Sequence, residues 1–278
     1  GDAMARRVAI GIQDFGKLLK HNCFYVDKTL FIKEWWENMD DVTLITRPRR
    51  FGKTLTMSML EQFFSVNYAQ EKAVFEKLNI WEYEEYRGLQ GTYPVIFLSF
   101  SRVKGNSYPY TRMMMNQILT EMYGRNRYLL DGDLLSEAEK KYFHEVCDTM
   151  QEHTAVAAIH RLSEFLYRFY KKKPLIFLDE YDTPMQEAYL GGYWEEMSAF
   201  IRAMFNASFK ENPYMERAIL TGITRVSKES VFSDLNNLKV ITTTSVKYET
   251  SFGFTEEEVL AALAEYGLLR QKQDVKRW

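Results

Sequence analysis

Cysteine is scarce in this chain: Cys23 and Cys147 are the only two in 278 residues. Two thiols so placed cannot form a disulfide framework and fit no zinc-ligand spacing, which points to a reducing compartment and a cytoplasmic location. Long apolar runs are missing too. The longest, around Val95–Leu98 and Leu175–Leu178, fall far short of the about 20 residues that span a bilayer, so no membrane association is expected. Gly1–Arg7 is followed by no apolar run of signal-peptide length. Neither charge is in excess: 36 basic and 38 acidic side chains leave a formal net charge of −2, so no general attraction to nucleic acid or membrane follows. There is no internal repeat, no low-complexity tract and no Pro/Gly/Ser linker between two composition regimes. The four histidines, His21, His144, His153 and His160, share no metal-ligand spacing on one helical face. With 46% apolar and 27% charged residues, what is left is a globular chain long enough to bury a substantial core.

The pattern that is present reads strand, loop, helix. Val42–Thr46 is short, β-branched and apolar, and it runs into Arg47-Pro48-Arg49-Arg50-Phe51-Gly52, which cannot continue a strand. From Lys53 the spacing becomes helical, with Leu55, Met59, Leu60, Phe63 and Phe64 on one face to about Val66. Tyr93–Ser101 holds an unbroken apolar run, as expected of a parallel strand buried on both faces. Helices are expected at Tyr108–Tyr123, Ser136–Met150, Thr154–Tyr170 and Tyr193–Lys210, the second opening on the capping box Ser136-Glu137-Ala138-Glu139. Further strands are expected at Leu175–Leu178, Arg217–Thr221 and Leu238–Thr243, and a helix starting at Thr255. Strands alternating with helices imply an α/β fold with a mainly parallel five-stranded sheet flanked by helices. Residues 1–9 read as a tag remnant or disordered start, 10–252 as one core, and 253–278 as the start of a helical lid that is cut short.

Arg47–Thr54 approximates the phosphate-loop pattern G-x-x-x-x-G-K-[ST], with Gly52-Lys53-Thr54 intact and Arg47 in place of the first glycine. In such a loop, backbone N–H groups and the following helix N-terminus converge on a phosphate. Gly52 lets the backbone approach, Lys53 neutralises β- and γ-phosphate oxygens, and the Thr54 hydroxyl holds Mg²⁺. The nucleotide-binding segment is therefore Pro48, Arg49, Arg50, Phe51, Gly52, Lys53, Thr54 and Leu55. For Arg49 and Arg50 two uses stay open, phosphate contact and pairing with acidic residues of the sheet.

A second chemical signal follows the Leu175–Leu178 run: Asp179-Glu180-Tyr181-Asp182. In a parallel sheet the carboxyl ends of the strands line the ligand crevice. Asp179 there suits a Mg²⁺ role and Glu180 suits polarisation of an attacking water. Asp182 is read as the cap of a helix starting at Thr183-Pro184, with a place beside Mg²⁺ as the alternative. Thr221, at the tip of the strand expected beside the phosphate-loop strand, is the candidate for sensing the γ-phosphate. Arg225 is the candidate for stabilising transition-state charge, an effect of about 10³–10⁵ in rate where an arginine finger operates; a plain surface arginine is its alternative.

In order along the chain, Ile10–Phe15, Tyr25–Thr29, Arg47–Thr54, Phe177–Asp182, Leu220–Ile223, Phe232–Leu238 and Gly253–Glu257 resemble the predicted AAA-ATPase-like family of bacteria. The resemblance extends from about Ile10 to Val259, and that family shares the Arg-Pro-Arg-Arg-Phe-Gly-Lys run that lacks the first glycine. It implies a P-loop NTPase of the additional-strand class, with an extra strand between those carrying the Walker A and Walker B motifs; Tyr93–Ser101 is the strand that fits. Relatives often carry a C-terminal PD-(D/E)XK nuclease-like domain, whose residues this chain does not supply. Thr224-Arg225-Val226 stands where relatives often have Ser-Lys-Phe. By analogy with related NTPases, Ile10–Phe15, with Ile12 and Phe15, forms one wall of a base pocket. The Asp27-Lys28-Thr29 signature carries no mechanism that its residues dictate; docking of the N-terminal segment against the sheet is the use considered for it.

The expectation is therefore Mg²⁺-dependent ATP binding and hydrolysis that changes the conformation of an attached or separate effector. The alternative is a non-hydrolysing, nucleotide-gated switch for a protein or nucleic-acid partner. A small-molecule kinase ranks below both, because adjacent Asp179-Glu180 suits water activation. Arg102, Lys104, Arg112 and Arg125–Arg127 read as scattered, solvated charge rather than a nucleic-acid groove. The 18 tyrosines and 19 phenylalanines read mostly as core.

Overall fold

The computed structural model describes residues 14–20, 27–46, 53–223, 231–232 and 238–242. The chain divides into two compact units: Gly1–Met39 with Arg47–Thr92 and Thr242–Trp278, and Asp40–Thr46 with Tyr93–Ile241. The residues expected in a single core are thus distributed over two units.

The first unit is helical. It holds α1 (Phe15–Lys20), α2 (Leu30–Asn38), α3 (Lys53–Phe64) and α4 (Glu84–Leu89), joined in part by three short 3₁₀ turns. Its core is aromatic. Phe75 stacks on Phe15 with centroids 5.3 Å apart and meets Phe63 edge-on at 5.2 Å, while Phe64 meets Trp35 at 5.7 Å; such pairs add about 0.5–1.5 kcal/mol beyond area burial. Helix α3 ends two residues earlier than its apolar spacing suggests. Ser65 adopts an extended conformation and its hydroxyl accepts the Asn67 N–H, opening a 3₁₀ turn over Val66–Tyr68. Gly91 has φ +70°, and a Cβ there would lie 2.5 Å from the Ala69 Cα, so only glycine fits.

The Asp27-Lys28-Thr29 signature finds its role in this unit. Asp27 Oδ1 accepts the Thr29 N–H at 2.9 Å and the Thr29 hydroxyl at 2.6 Å, and Oδ2 accepts the Asn79 N–H at 2.7 Å. Thr29 Oγ1 in turn accepts the Ile80 N–H at 3.1 Å. These bonds satisfy the donors that open the 3₁₀ turn Asn79–Glu82. The signature therefore clamps that turn, in place of the docking against the sheet considered for it.

The second unit carries the sheet: β1 (Val42–Thr46), β2 (Val95–Ser99), β3 (Leu175–Asp179), β4 (Arg217–Gly222) and β5 (Leu238–Thr242), in the order β2-β3-β4-β1-β5. Four strands are joined in parallel register, with Val95 opposite Leu175, Leu175 opposite Arg217, and Val42 opposite Ala218. Helices α5 (Tyr108–Gly124), α6 (Glu137–Glu145), α7 (Glu152–Tyr170), α8 (Thr183–Gly191) and α9 (Trp194–Phe205) complete it. Every residue of β1, β3 and β4 is buried, as continuous apolar runs in a covered parallel sheet require. Strand β2 differs from expectation: only Ile96 and Leu98 are fully buried, alternating with half-buried neighbours. It lies at the outer end of the strand order. The strand lying between β1 and β3 is β4, so the role of intervening strand falls to Arg217–Gly222 and not to Tyr93–Ser101.

Two helix ends also differ. Helix α6 stops at Glu145 instead of Met150: the chain turns there, the Met150 N–H bonding the Cys147 carbonyl at 3.1 Å, and the Asn116 amide on α5 donates to the Asp148 and Met150 carbonyls at 3.0 and 3.4 Å and holds that turn. Helix α9 gives way to a π-helical turn over Asn206–Lys210, where the Ser208 hydroxyl bonds the Met204 carbonyl.

The capping box is present as expected: the Ser136 hydroxyl accepts the Glu139 N–H, and the Glu139 carboxylate accepts the Ser136 N–H at 2.9 Å. Arg168 on α7 grips the same carboxylate with both terminal nitrogens and bonds Glu164 at 2.8 Å. Those hydrogen bonds, above all Arg168's, hold the Glu139 carboxyl down to about 2 from an ordinary 4.5. A depressed carboxyl stabilises the fold above its unfolded value and loses that contribution as pH falls through the folded one. With Arg168 one-third exposed, solvent screening leaves about 1 kcal/mol. The stability gap between wild type and Glu139→Gln, measured by urea unfolding, is expected to be full above about pH 5 and to vanish toward pH 2.

Candidate active site

Strands β3 and β4 end side by side, with Leu178 opposite Leu220. One residue further on, Asp179 and Thr221 meet. Asp179 is 2% exposed and Thr221 fully buried. A carboxylate in such a place costs several kcal/mol unless hydrogen-bonded. The Thr221 hydroxyl donates to Asp179 Oδ1 at 2.6 Å and accepts the Glu180 N–H at 3.2 Å. The Thr221 carbonyl accepts the Tyr181 N–H at 2.9 Å, and the Asp179 carbonyl accepts the Phe100 N–H at 3.0 Å. One threonine thus ties together the carboxylate that ends β3 and the turn that follows it.

Glu180 sits in that turn with φ +52°, a left-handed conformation that costs a non-glycine residue about 1–3 kcal/mol and persists only where surrounding bonds enforce it. Its side chain is half-buried. Oε2 accepts the Thr183 hydroxyl at 3.1 Å, and the Glu180 carbonyl accepts the Thr183 N–H at 3.3 Å.

Asp182 occupies the position before α8, yet its side chain does not cap that helix. Oδ2 instead accepts the Ile223 N–H at 3.0 Å and the Gln186 side-chain amide at 3.1 Å. The expected cap is corrected to a staple between the end of β4 and α8. The fit beside it is tight. A Cβ on Gly222 would stand 2.2 Å from Tyr181 Cε1 and 3.0 Å from Asp182 Oδ1. The Tyr181 ring cannot retreat, being fully buried against Phe232 at 5.2 Å.

The other expected site residues are placed as follows. β4 does neighbour β1, with Ile45 opposite Thr221 and Thr46 opposite Gly222; the sequence leaving Thr46 is Arg47–Thr54, the segment expected to bind phosphate. Arg47, Pro48, Arg49, Arg50, Phe51 and Gly52 lie outside the described residues, as do Ile12 and Arg225. Lys53, Thr54 and Leu55 form the first turn of α3, described for the backbone alone. Thr221, expected to sense the γ-phosphate, has its hydroxyl hydrogen-bonded to Asp179 and to the Glu180 N–H. Phe15 is fully buried, stacked on Phe75, with its N–H on the Ser58 hydroxyl at 3.0 Å; its ring has no open face for a base. Arg112, expected on the surface, is 8% exposed, lies 3.9 Å over the Phe200 ring and bonds Asn116. Arg102 pairs with Glu121, and Arg125 donates to the Phe97 carbonyl. Among the described residues no three His, Cys, Asp or Glu side chains gather as a metal cluster, and no helix is long and apolar enough to cross a membrane.

Sequence reasoning missed Thr183 and Gly222. The signal for Thr183 was a hydroxyl three residues past Glu180, at a helix start; for Gly222, a glycine beside a bulky Tyr181 has meaning only once strands β3 and β4 are paired. Thr221→Val, which deletes the donor to a buried carboxylate, is expected to cost about 1–3 kcal/mol in urea unfolding, with Thr221→Ser recovering most of it.

Comparison with known proteins agrees with the resemblance. The family model described as Predicted AAA-ATPase matches residues 9–232. An uncharacterized protein in the vnfD 5′ region of Azotobacter chroococcum mcd 1 is 25% identical over 278 residues, which is 98% of this chain and 48% of that protein. The chain thus spans about half the length of this curated relative. No solved structure matches. Since the matched span takes in the Asp27 clamp, the Lys53 helix start and the Asp179–Thr221 strand ends alike, the chain belongs to the predicted AAA-ATPase family.

Proposed function

We propose that this protein binds ATP with Mg²⁺ and hydrolyses it to ADP and phosphate, and that the change between nucleotide states is passed to an effector. The observation that carries this reading is the Asp179–Glu180 pair held by Thr221 at the carboxyl end of a buried parallel strand. In the same sheet, β4 pairs on its other side with β1, whose sequence continues into the Arg47–Thr54 segment. Membership of a predicted AAA-ATPase family supports nucleotide binding.

The donor set suits the metal. Mg²⁺ favours hard oxygen ligands and commonly takes one or two protein oxygens, with substrate phosphates and water filling the rest. Asp179, with one oxygen on Thr221, and the Thr54 hydroxyl are the residues that would hold it. When bound, Mg²⁺ supplies neutralisation of charge on the β- and γ-phosphates.

The chain's own residues then divide the work. Lys53 and the backbone of Pro48–Leu55 grip the phosphates, with Arg49 and Arg50 as further phosphate contacts. Glu180 takes a proton from the attacking water as its oxygen bonds the γ-phosphorus and ADP departs. Arg225 stabilises the charge that develops. Thr221 keeps Asp179 and Glu180 aligned. The effector is a further part of the full-length protein, which the double length of the relative supports, or a separate protein or nucleic-acid partner. The scarcity of cysteine supports a cytoplasmic setting.

Calorimetric titration with ATP, ADP and GTP in Mg²⁺ tests the reading directly, and binding of none of them defeats it. Lys53→Ala is expected to abolish ATP binding. Glu180→Gln is expected to bind ATP as wild type does while turnover falls by about 10²–10⁴. Unchanged hydrolysis in Glu180→Gln removes Glu180 from its role; a wild type that binds without turnover at any protein concentration makes the protein a nucleotide-gated switch.

A further inference from the structure

Glu180 is held at more points than a surface carboxylate needs. Its N–H is fixed by the Thr221 hydroxyl, and the following N–H, of Tyr181, by the Thr221 carbonyl. Its carbonyl receives the Thr183 N–H, and its carboxylate Oε2 receives the Thr183 hydroxyl at 3.1 Å. The left-handed φ of +52° is the conformation these bonds enforce. Among the described residues the second carboxylate oxygen, Oε1, has no hydrogen-bond partner, so the side chain is oriented through one oxygen while the other stays available.

An ionised carboxylate only accepts hydrogen bonds, so in this contact the Thr183 hydroxyl is the donor. Threonine is a stiff tether. Its β-branched side chain has few rotamers, and its backbone is locked as the first residue of α8, behind the buried Pro184 and Met185. The N–H and hydroxyl of one residue therefore grip the carbonyl and carboxylate of another, which sets where that carboxylate points. A general base works only within hydrogen-bond reach of its proton, and small misplacements cost large factors in rate.

We propose that Thr183 is the positioning residue of the hydrolytic step: its hydroxyl aims the Glu180 carboxylate, leaving Oε1 to receive the proton of the attacking water. The assignment rests on the ATPase reading above. It calls for a hydrogen-bond donor at position 183, since the hydroxyl acts through the Glu180 carboxylate.

Steady-state ATP hydrolysis by the full chain in Mg²⁺ tests this, with Thr183→Val, Thr183→Ser and the double variant Thr183→Val/Glu180→Gln. Thr183→Val keeps the shape and loses the donor. Its kcat is expected to fall about tenfold, less than the about 10²–10⁴ of losing a base outright, with KM for ATP changed less than about twofold. Thr183→Ser is expected to restore kcat to within about twofold of wild type. In the Glu180→Gln background, Thr183→Val is expected to have no further effect, since the residue acts through that carboxylate. Circular dichroism melts identify any variant that fails to fold; should Thr183→Val be one, Thr183→Ala takes its place, alone and in the Glu180→Gln background, with the same expected outcomes. Wild-type turnover in Thr183→Val, a joint shift of KM and kcat, or a Ser variant as slow as Val overturns the assignment. A wild type that binds ATP but never hydrolyses it overturns the ATPase reading and, with it, this role; active wild type with an indifferent Thr183→Val overturns the role alone.

Discussion

The second unit is organised around one hydrogen bond, from the Thr221 hydroxyl to the buried Asp179 carboxylate. It can form only if β3 and β4 run parallel and in register, because a one-residue slip would turn Thr221 to the opposite face. The bond also explains why a charged side chain can end an otherwise apolar strand. From it follow the remaining constraints at that edge. The turn after Asp179 must double back toward β4, which forces Glu180 into positive φ and places the Tyr181 ring against residue 222, where only glycine has room. Asp182 then secures the next N–H of the β4 end, at Ile223. A site for charge is thereby built from backbone geometry before any ligand is considered.

The first unit achieves rigidity differently. Its aromatic rings supply most of the large buried side chains, and Asp27 with Thr29 supplies donors and acceptors where a short turn has none of its own. Polar satisfaction here is local and structural, whereas around Asp179 it organises groups suited to chemistry.

What the sequence revealed, and what it hid, divides along the range of the interactions. Strands β1, β3 and β4 were legible because burial on both faces leaves short runs rich in apolar and β-branched residues, and α7 was legible because its apolar period persists over 19 residues. The Asp179-Glu180 pair stood out as charge where the run stops. Sheet order was not legible, since chain order places β2 between β1 and β3 while the sheet places β4 there. The turn that follows α6 is held by an Asn116 amide about 30 residues upstream, and Arg112 is buried because Phe200, on another helix, offers it a ring face. Thr221 is legible in the sequence as a polar strand tip, whereas its bond to Asp179 is not, because that partner lies on the neighbouring strand. Thr183 escaped notice because a threonine opening a helix is ordinary in sequence.

The pairing of β1 with β4 has a consequence for the ribosome. Val42 must find Ala218, so a strand whose five residues are all destined for burial emerges about 175 residues before its partner. At about 5–20 residues per second, β1 waits roughly 10–35 seconds for the strand that covers its edge. Long-range parallel pairing of this kind is slow to nucleate. During that interval the nascent chain presents an apolar strand whose partner does not yet exist, a segment open to wrong pairing until β4 is made.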